Sequence, residues 1–255
     1  DDEWQDLVAA VFCDITGETI DDKNMKGWQQ QELDKINEMK LFTKTTVEDA
    51  KKQGLKIIGT RFAMNKAKCK ARLVVQDVRR GPVSPEHWAP TPSTVSTRAC
   101  LLLGASAGHG ATIIDISSAF LYADLPEKGR VAATPPPGHG TRGEAWTLQR
   151  SLCGLREAPA LLAVHLGRKM AARGFKRSRL DPGAFGKGRG KDLITATAHV
   201  DDVAVVGSRA ARQQLVDNLK VDFELKRQTE PNTKGAKPES GTNLGQDGQG
   251  LRVHQ

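Results

Sequence analysis

The sequence is poor in aromatic side chains: they make up 5% of its 255 residues, and Tyr122 is the only tyrosine. Cysteine is also scarce. Cys13, Cys69, Cys100 and Cys153 lie 56, 31 and 53 residues apart, with no C-x-x-C pair and no clustered histidines. A chain of this length needs no disulfide staples, the spacing completes no zinc site, and the cysteines suit reduced thiols in a reducing compartment. No stretch approaches the roughly 18 apolar residues of a membrane span. The first residues, Asp1, Asp2 and Glu3, are not the basic and then apolar run of a secretory signal. The missing initiator Met and the polar ending lead us to expect a chain cut from a longer one. No internal repeat is visible.

What is present is enough for a globule. Hydrophobic residues reach 38%, charged residues 27%, and mean hydropathy is −0.46, which argues against wholesale disorder. The net charge of +8 is unevenly spread. Residues 1–50 carry 13 acidic and 5 basic side chains, a net −8, leaving 17 acidic and 33 basic, a net +16, for residues 51–255. A surplus of that size attracts polyanions, nucleic acid above all, although a solvated basic surface accounts for charge alone equally well.

Residues 1–54 read as an acidic flank, with an amphipathic helix over 28–39 presenting Leu33, Ile36 and Met39. The apolar runs Leu55–Ile58 and Ala71–Val75, separated by Lys66, Lys68, Lys70 and Arg72, predict a basic β-hairpin. A helix capped by Ser93 or Thr94 runs to Ala107, with Gly108 beyond it. A strand follows over Ala111–Ile116, and then a loop over Pro135–Gly143. A second long helix runs from about Pro159 to Gly174. Strands are expected at Ala184–Phe185, Leu193–His199 and Val203–Val206, with Asp201-Asp202 at the turn between the last two. A third helix after Ser208 spaces Leu215, Leu219 and Phe223 by four, and residues 229–250 have the composition of a flexible tail. The order predicts an α+β sheet with helices on one face.

Several motif matches carry no function. Gly138-His139-Gly140-Thr141-Arg142-Gly143 fits G-x-G-x-x-G, but follows Pro135-Pro136-Pro137 rather than a strand and precedes no helix. Gly186–Lys191 lacks phosphate-loop spacing, and Asp14-Ile15-Thr16-Gly17 is not the Asp-Thr-Gly of an aspartic protease. Asp201-Asp202 is different, because two like charges held between apolar strands cost stability unless a cation neutralises them. A hard divalent ion such as magnesium suits oxygen ligands. Asp115, near the end of its own apolar strand, is the best-placed third acid. Three such carboxylates could hold two ions about 3.5–4 Å apart, the arrangement that serves nucleotidyl transfer. The basic body would then receive template and primer phosphates.

These residues resemble the reverse transcriptase region of copia-type LTR retrotransposon polyproteins over about residues 28–226. Lys70-Ala71-Arg72-Leu73-Val74 resembles K-A-R-L-V, and Trp88-Ala89-Pro90 resembles F-A-P. Asp115-Ile116-Ser117-Ser118-Ala119-Phe120-Leu121 resembles D-V-K-T-A-F-L, and Pro136-Pro137-Gly138 resembles P-P-G. Residues 151–159, S-L-C-G-L-R-E-A-P, resemble S-L-Y-G-L-K-Q-A-P. Gly174-Phe175 with Asp181-Pro182 resembles G-F…D-P, and His199-Val200-Asp201-Asp202 resembles Y-V-D-D. His199 and Cys153 stand where the family has Tyr, and Ala160-Leu161-Leu162 departs from the family's helix start.

The resemblance implies a right-hand polymerase fold: fingers over 55–92, palm over 93–207 and the start of a thumb over 208–228; composition makes 229–255 a flexible tail. It implies RNA-directed DNA synthesis from a primer 3′-end on an RNA or DNA template, using deoxynucleoside triphosphates and two Mg²⁺ ions, or Mn²⁺. Asp115, Asp201 and Asp202 would be the catalytic and metal-binding acids. Arg72 would clamp the triphosphate, Ile116, Ser117 and Ser118 would line it, and Phe120 would be the gate against a ribose 2′-hydroxyl. The alternatives are a surface strand residue for Arg72 and a core aromatic for Phe120. No membrane partner is implied. The implied location is intracellular, in a cytoplasmic retrotransposon particle or the nucleus. Two alternatives stay open: a decayed or truncated copy that only binds nucleic acid, and an unrelated metal-dependent phosphotransferase or nuclease.

Overall fold

The computed structural model describes residues 11–77, 87–229, 243–247 and 250–254. In chain order the first elements are β1 (Val11–Phe12), β2 (Thr19–Ile20), α1 (Asp22–Glu38), β3 (Phe42–Thr46), α2 (Val47–Lys52), β4 (Lys56–Ile58), β5 (Thr60–Asn65) and β6 (Lys70–Val75). Then come α3 (Thr94–Ser106), β7 (Gly110–Ile116), β8 (Val131–Ala133), β9 (Glu144–Leu148), α4 (Ala158–Ala172), β10 (Lys176–Arg177) and β11 (Ala184–Lys187). The chain continues through β12 (Ile194–His199), β13 (Asp202–Gly207), α5 (Arg209–Lys220), β14 (Leu225–Thr229), β15 (Asn243–Asp247) and β16 (Gly250–His254). The result is a mixed α+β protein made of two compact units, one of residues 1–83 and 123–158, the other of 84–122 and 159–255.

In the first unit, Asp21 caps α1 by accepting a hydrogen bond from the Asn24 amide, so the helix begins six residues before the periodicity at Trp28 signals it. A four-stranded sheet runs β3-β9-β8-β4. The basic hairpin is present but differently made. Its strands are β5 and β6, paired Thr60↔Val75 through Asn65↔Lys70, whereas Ile57 and Ile58 pair in parallel with Ala132 and Ala133. The expectation that Leu55–Ile58 forms the hairpin's first strand is thus corrected. Arg61, Phe62 and Met64 supply the strand in a mixed polar and apolar pattern that conceals it, while the purely apolar Ile57-Ile58 run suits a more buried sheet. Residues 135–143 form the turn region between β8 and β9, as expected.

The second unit is a six-stranded sheet of order β10-β11-β12-β13-β7-β14, antiparallel at every junction. Apolar alternation in β7 and β13 turns Ile114, Ile116, Val203 and Val205 to one face. There they pack with Leu162, Leu166 and Met170 of α4 and Leu215, Val216 and Leu219 of α5. α3 does not share that face, and this corrects the expectation of helices on one side only. Its Leu101 packs with Ala111 and Val206, whose side chains alternate to the opposite face. Gly104 makes the approach possible, because a Cβ there would lie 2.1 Å from Cγ1 of Val206. Ser93 and Ser208 cap α3 and α5 as their sequence suggests. Of the expected flexible tail over 229–255, residues 230–242, 248–249 and 255 lie outside the described residues, while within it β15 and β16 pair antiparallel.

Candidate functional site

The two central strands of the second unit bring two of the three acids into register. Asp115 of β7 is the cross-strand partner of Asp202 of β13, and Asp202 is also paired with His199 of β12. Directly opposed residues of antiparallel strands share a face, so the Asp115 and Asp202 side chains lie on one side, opposite Ile114 and Val203. Asp201 is exposed in the two-residue turn that joins β12 to β13. Its carbonyl accepts a hydrogen bond from the Ile116 amide at 3.0 Å, tying that turn to the end of β7. Val200, the other turn residue, has φ of 55°, a left-handed conformation that a β-branched residue adopts only under constraint. It packs against the core beneath the sheet, which supplies that constraint.

Among the described residues, no group of three His, Cys, Asp or Glu side chains stands ready-made to hold a metal ion. What the strands supply is a donor set with suitable chemistry: carboxylate oxygens only, the ligands that hard divalent cations prefer. A cation already sits there. Lys226 Nζ lies 3.0 Å from Asp115 Oδ2, with side chains 52% and 23% exposed. Lys226 is the extra residue of a β-bulge in β14, between Leu225, which pairs with Ile116, and Arg227, which pairs with Asp115. No motif in the sequence singles out Lys226; only its neighbour's strand pairing does.

The remaining expected residues fall into two groups. Ser118, with φ of 50°, turns the chain from β7 into a 3₁₀ turn over Ala119–Tyr122. The amide of Ile116 is donated to Asp201 and that of Ser117 to the Glu224 carbonyl at 2.8 Å, so two of the three expected backbone donors serve the fold. Phe120 is half-buried against the core. Nearby, the Tyr122 hydroxyl accepts from the Glu224 amide at 2.8 Å, and its ring stands edge-on to Phe223. Arg72 belongs to the first unit, exposed on β6. Beside it, Glu32 of α1 accepts the Leu73 amide at 3.1 Å. Burial pushes the Glu32 carboxyl above its ordinary value, against the opposing pull of that amide and of Arg72, Lys35 and Lys70.

Other blocks of the resemblance have evident structural work. Gly154 has φ of 91°, and a Cβ there would lie 2.1 Å from the Val75 carbonyl oxygen; the neighbouring Cys153 carbonyl accepts the Val75 amide at 2.8 Å. Only glycine fits so close a backbone approach. Asp77 accepts from Lys56 and from the Arg156 amide, and although its burial raises the carboxyl's pKa these contacts bring it below the usual value. Asp181, almost wholly buried, accepts the Ser93 and Gly183 amides at 2.7 and 2.9 Å. It therefore fastens the start of α3 to the turn before β11. Burial alone would raise its pKa, and the hydrogen bonds from Ser96, Ser93 and Gly183 bring it down instead. Ala89 and Pro90 line a small apolar cleft with Pro159, Phe185 and Val200.

Comparison with known proteins agrees with these blocks. Residues 44–255 match the family described as reverse transcriptase (RNA-dependent DNA polymerase). The retrovirus-related Pol polyprotein from transposon RE1 of Arabidopsis thaliana is 28% identical over 163 residues, covering 62% of this chain and 11% of that protein. The corresponding polyprotein from transposon TNT 1-94 of Nicotiana tabacum is 28% identical over 164 residues, covering 62% of this chain and 12% of that protein. The chain thus spans only a small fraction of the relatives it matches. Among the described residues, no helix is long and apolar enough to cross a membrane. With the family match extending over most of its length, the chain belongs to the reverse transcriptase (RNA-dependent DNA polymerase) family.

Proposed function

We propose that this chain carries the fingers, palm and first thumb helix of an RNA-directed DNA polymerase that adds deoxynucleotides to a primer 3′-end. In this reading the fingers span 55–92, the palm 93–207 and the thumb start 208–228. The observation that carries it is the register match of Asp115 with Asp202, one residue from Asp201 in a strained turn, inside a family match. Asp115, Asp201 and Asp202 would hold the divalent ions, Mg²⁺ or Mn²⁺. Bound there, the ions would lower the pKa of the attacking hydroxyl and offset charge on the triphosphate.

The chain's own residues have distinct tasks in this reading. The Ser118 peptide and the hydroxyls of Ser117 and Ser118 contact the triphosphate, since the Ile116 and Ser117 amides are already donated. Phe120 crowds the sugar and disfavours a 2′-hydroxyl. Arg72 supplies a guanidinium to the phosphates, for which its planar fork of donors is suited. The basic surplus of residues 51–255 attracts the template and primer backbone. Synthesis in a retrotransposon particle inside the cell is the setting that fits the relatives.

Primer extension on an RNA template with deoxynucleotides, run with Mg²⁺ and with Mn²⁺, tests the reading. The parent chain is expected to extend the primer and Asp201→Asn to fail while still binding RNA. Binding without extension by the parent would favour a decayed copy, a reading to which His199 in the family's Tyr position lends weight. Primer degradation would favour a nuclease.

A further inference from the structure

We infer that Lys226 is the resident counter-ion of Asp115 and competes with a metal ion for that carboxylate, so that it sets the metal affinity of the acid turn. The inference rests on the polymerase reading of Asp115 and deepens it. Two independent features of β14 point to it. Nζ of Lys226 lies 3.0 Å from Oδ2 of Asp115, an ion pair between residues 111 apart in sequence. In addition, the backbone is bulged at Lys226, where two residues of β14 oppose one of β7.

A bulge interrupts pairing and re-aims a side chain, and such irregularities gather beside functional sites. In an unbroken ladder the residue after Leu225 would be the partner of Asp115. The bulge gives that position to Arg227, and the Lys226 ammonium still reaches the Asp115 carboxylate.

The need for such a cation follows from the charges. Asp115 and Asp202 face one another across β7 and β13, and Asp201 adjoins them. Like charges directly opposed across strands destabilise a sheet, and an ammonium on one of them relieves the repulsion. Lysine suits a replaceable counter-ion. Its ammonium is a point charge on a flexible stem, and with half of the Lys226 side chain exposed it has water to return to. A divalent ion that ligates Asp115 must displace it, and the displaced interaction is subtracted from the metal's binding free energy.

Removing the ammonium should therefore tighten metal binding. Titration of the full chain with Mn²⁺, following free Mn²⁺ by electron paramagnetic resonance, reads this without reference to activity. The parent is expected to bind Mn²⁺ and Asp115→Asn to lose most of that binding. Lys226→Met and Lys226→Gln should bind about two- to five-fold more tightly, the scale set by a partly exposed ion pair. Lys226→Arg, which keeps the charge, should match the parent. Unchanged or weaker binding in both neutral variants, with the parent binding intact and sensitive to Asp115→Asn, would overturn the role of Lys226 and leave the site assignment standing. Mn²⁺ binding that ignores Asp115→Asn, or no binding by the parent, would overturn both.

Discussion

Two hairpins of this chain, one acidic and one basic, are held in opposite ways. The acid hairpin, β12–β13, lies inside a six-stranded sheet, paired on its outer edges by β11 and β7. The basic hairpin, β5–β6, is a two-stranded ribbon that pairs with no further strand among the described residues, and the outer edge of β6 is met instead by Glu32 from α1 and by the Cys153 carbonyl. Each turn contains a non-glycine residue in the left-handed region, Val200 and Cys69. The comparison teaches where constraint resides. At Val200 the core beneath the turn enforces the strained backbone; at exposed Cys69 little besides the turn itself does. In the proposed reading, the site that must present carboxylates in fixed geometry would use the first kind of hairpin, and the arm that meets the triphosphate the second.

The comparison breaks most visibly in the packing. Leu162→Ala or Leu219→Ala, both fully buried beneath the acid hairpin, should cost about 2–5 kcal/mol, measured by denaturant unfolding. Arg212 is next. Buried in α5, it donates to the carbonyls of Gly207 and Ala111 at 3.1 and 2.8 Å and to the Thr112 hydroxyl, at the strand ends remote from the carboxylates. Arg212→Met should lower stability by about 2–3 kcal/mol, since buried acceptors lose a charged donor. In the first unit, Gly154→Ala meets both a positive φ and the Val75 carbonyl. It should destabilise that unit while leaving the unfolding of the second unchanged, a separation that hydrogen exchange would read.

Acidification sharpens the contrast more gently. The Thr141 amide, the Trp146 indole, the Thr141 hydroxyl and Lys44 hold Glu144 at about 2 in place of its ordinary 4.5. A carboxyl depressed by folding stabilises the fold fully above its unfolded value and loses that contribution as pH falls from about 4.5 toward 2. Glu32 is shifted the other way, so protonating it favours the fold. Glu144→Gln should flatten the loss of stability through the acid range, whereas Glu32→Gln should remove a gain. The smallest effect lies in the turns. Cys69→Gly should stabilise by up to about 1 kcal/mol through relief of its backbone, and Val200→Gly should leave the midpoint nearly unchanged because lost packing offsets the relief.

Much of the second unit was legible because its signals are local. Ser93 and Ser208 stand where caps belong, Leu162, Leu166 and Met170 repeat at helical spacing, and the strand carrying Asp115 is a short apolar run. The acid turn was legible for the same reason, as two carboxylates between short apolar runs. Contacts between residues distant in sequence were not. Nothing near Ile57-Ile58 announces a parallel partner at Ala132-Ala133, so the hairpin's first strand was misplaced. The placement of α3 depends on Gly104 meeting Val206, a matter of close approach rather than periodicity. Lys226 was invisible because a bulge decides where its side chain points, and the residues around it form no motif.

In the proposed reading, chemistry resides at the acid turn and Arg72 of the basic hairpin sets triphosphate affinity. Single-turnover incorporation of one deoxynucleotide, measured across triphosphate concentrations, tests it most directly. Asp201→Asn should reduce the maximal rate on the order of a hundred-fold or more, the scale of losing a charge-stabilising group in the transition state. Arg72→Ala should instead raise the apparent triphosphate Kd about tenfold with the maximal rate largely kept. A maximal rate that survives Asp201→Asn, or collapses equally in Arg72→Ala with no change in Kd, would contradict that division.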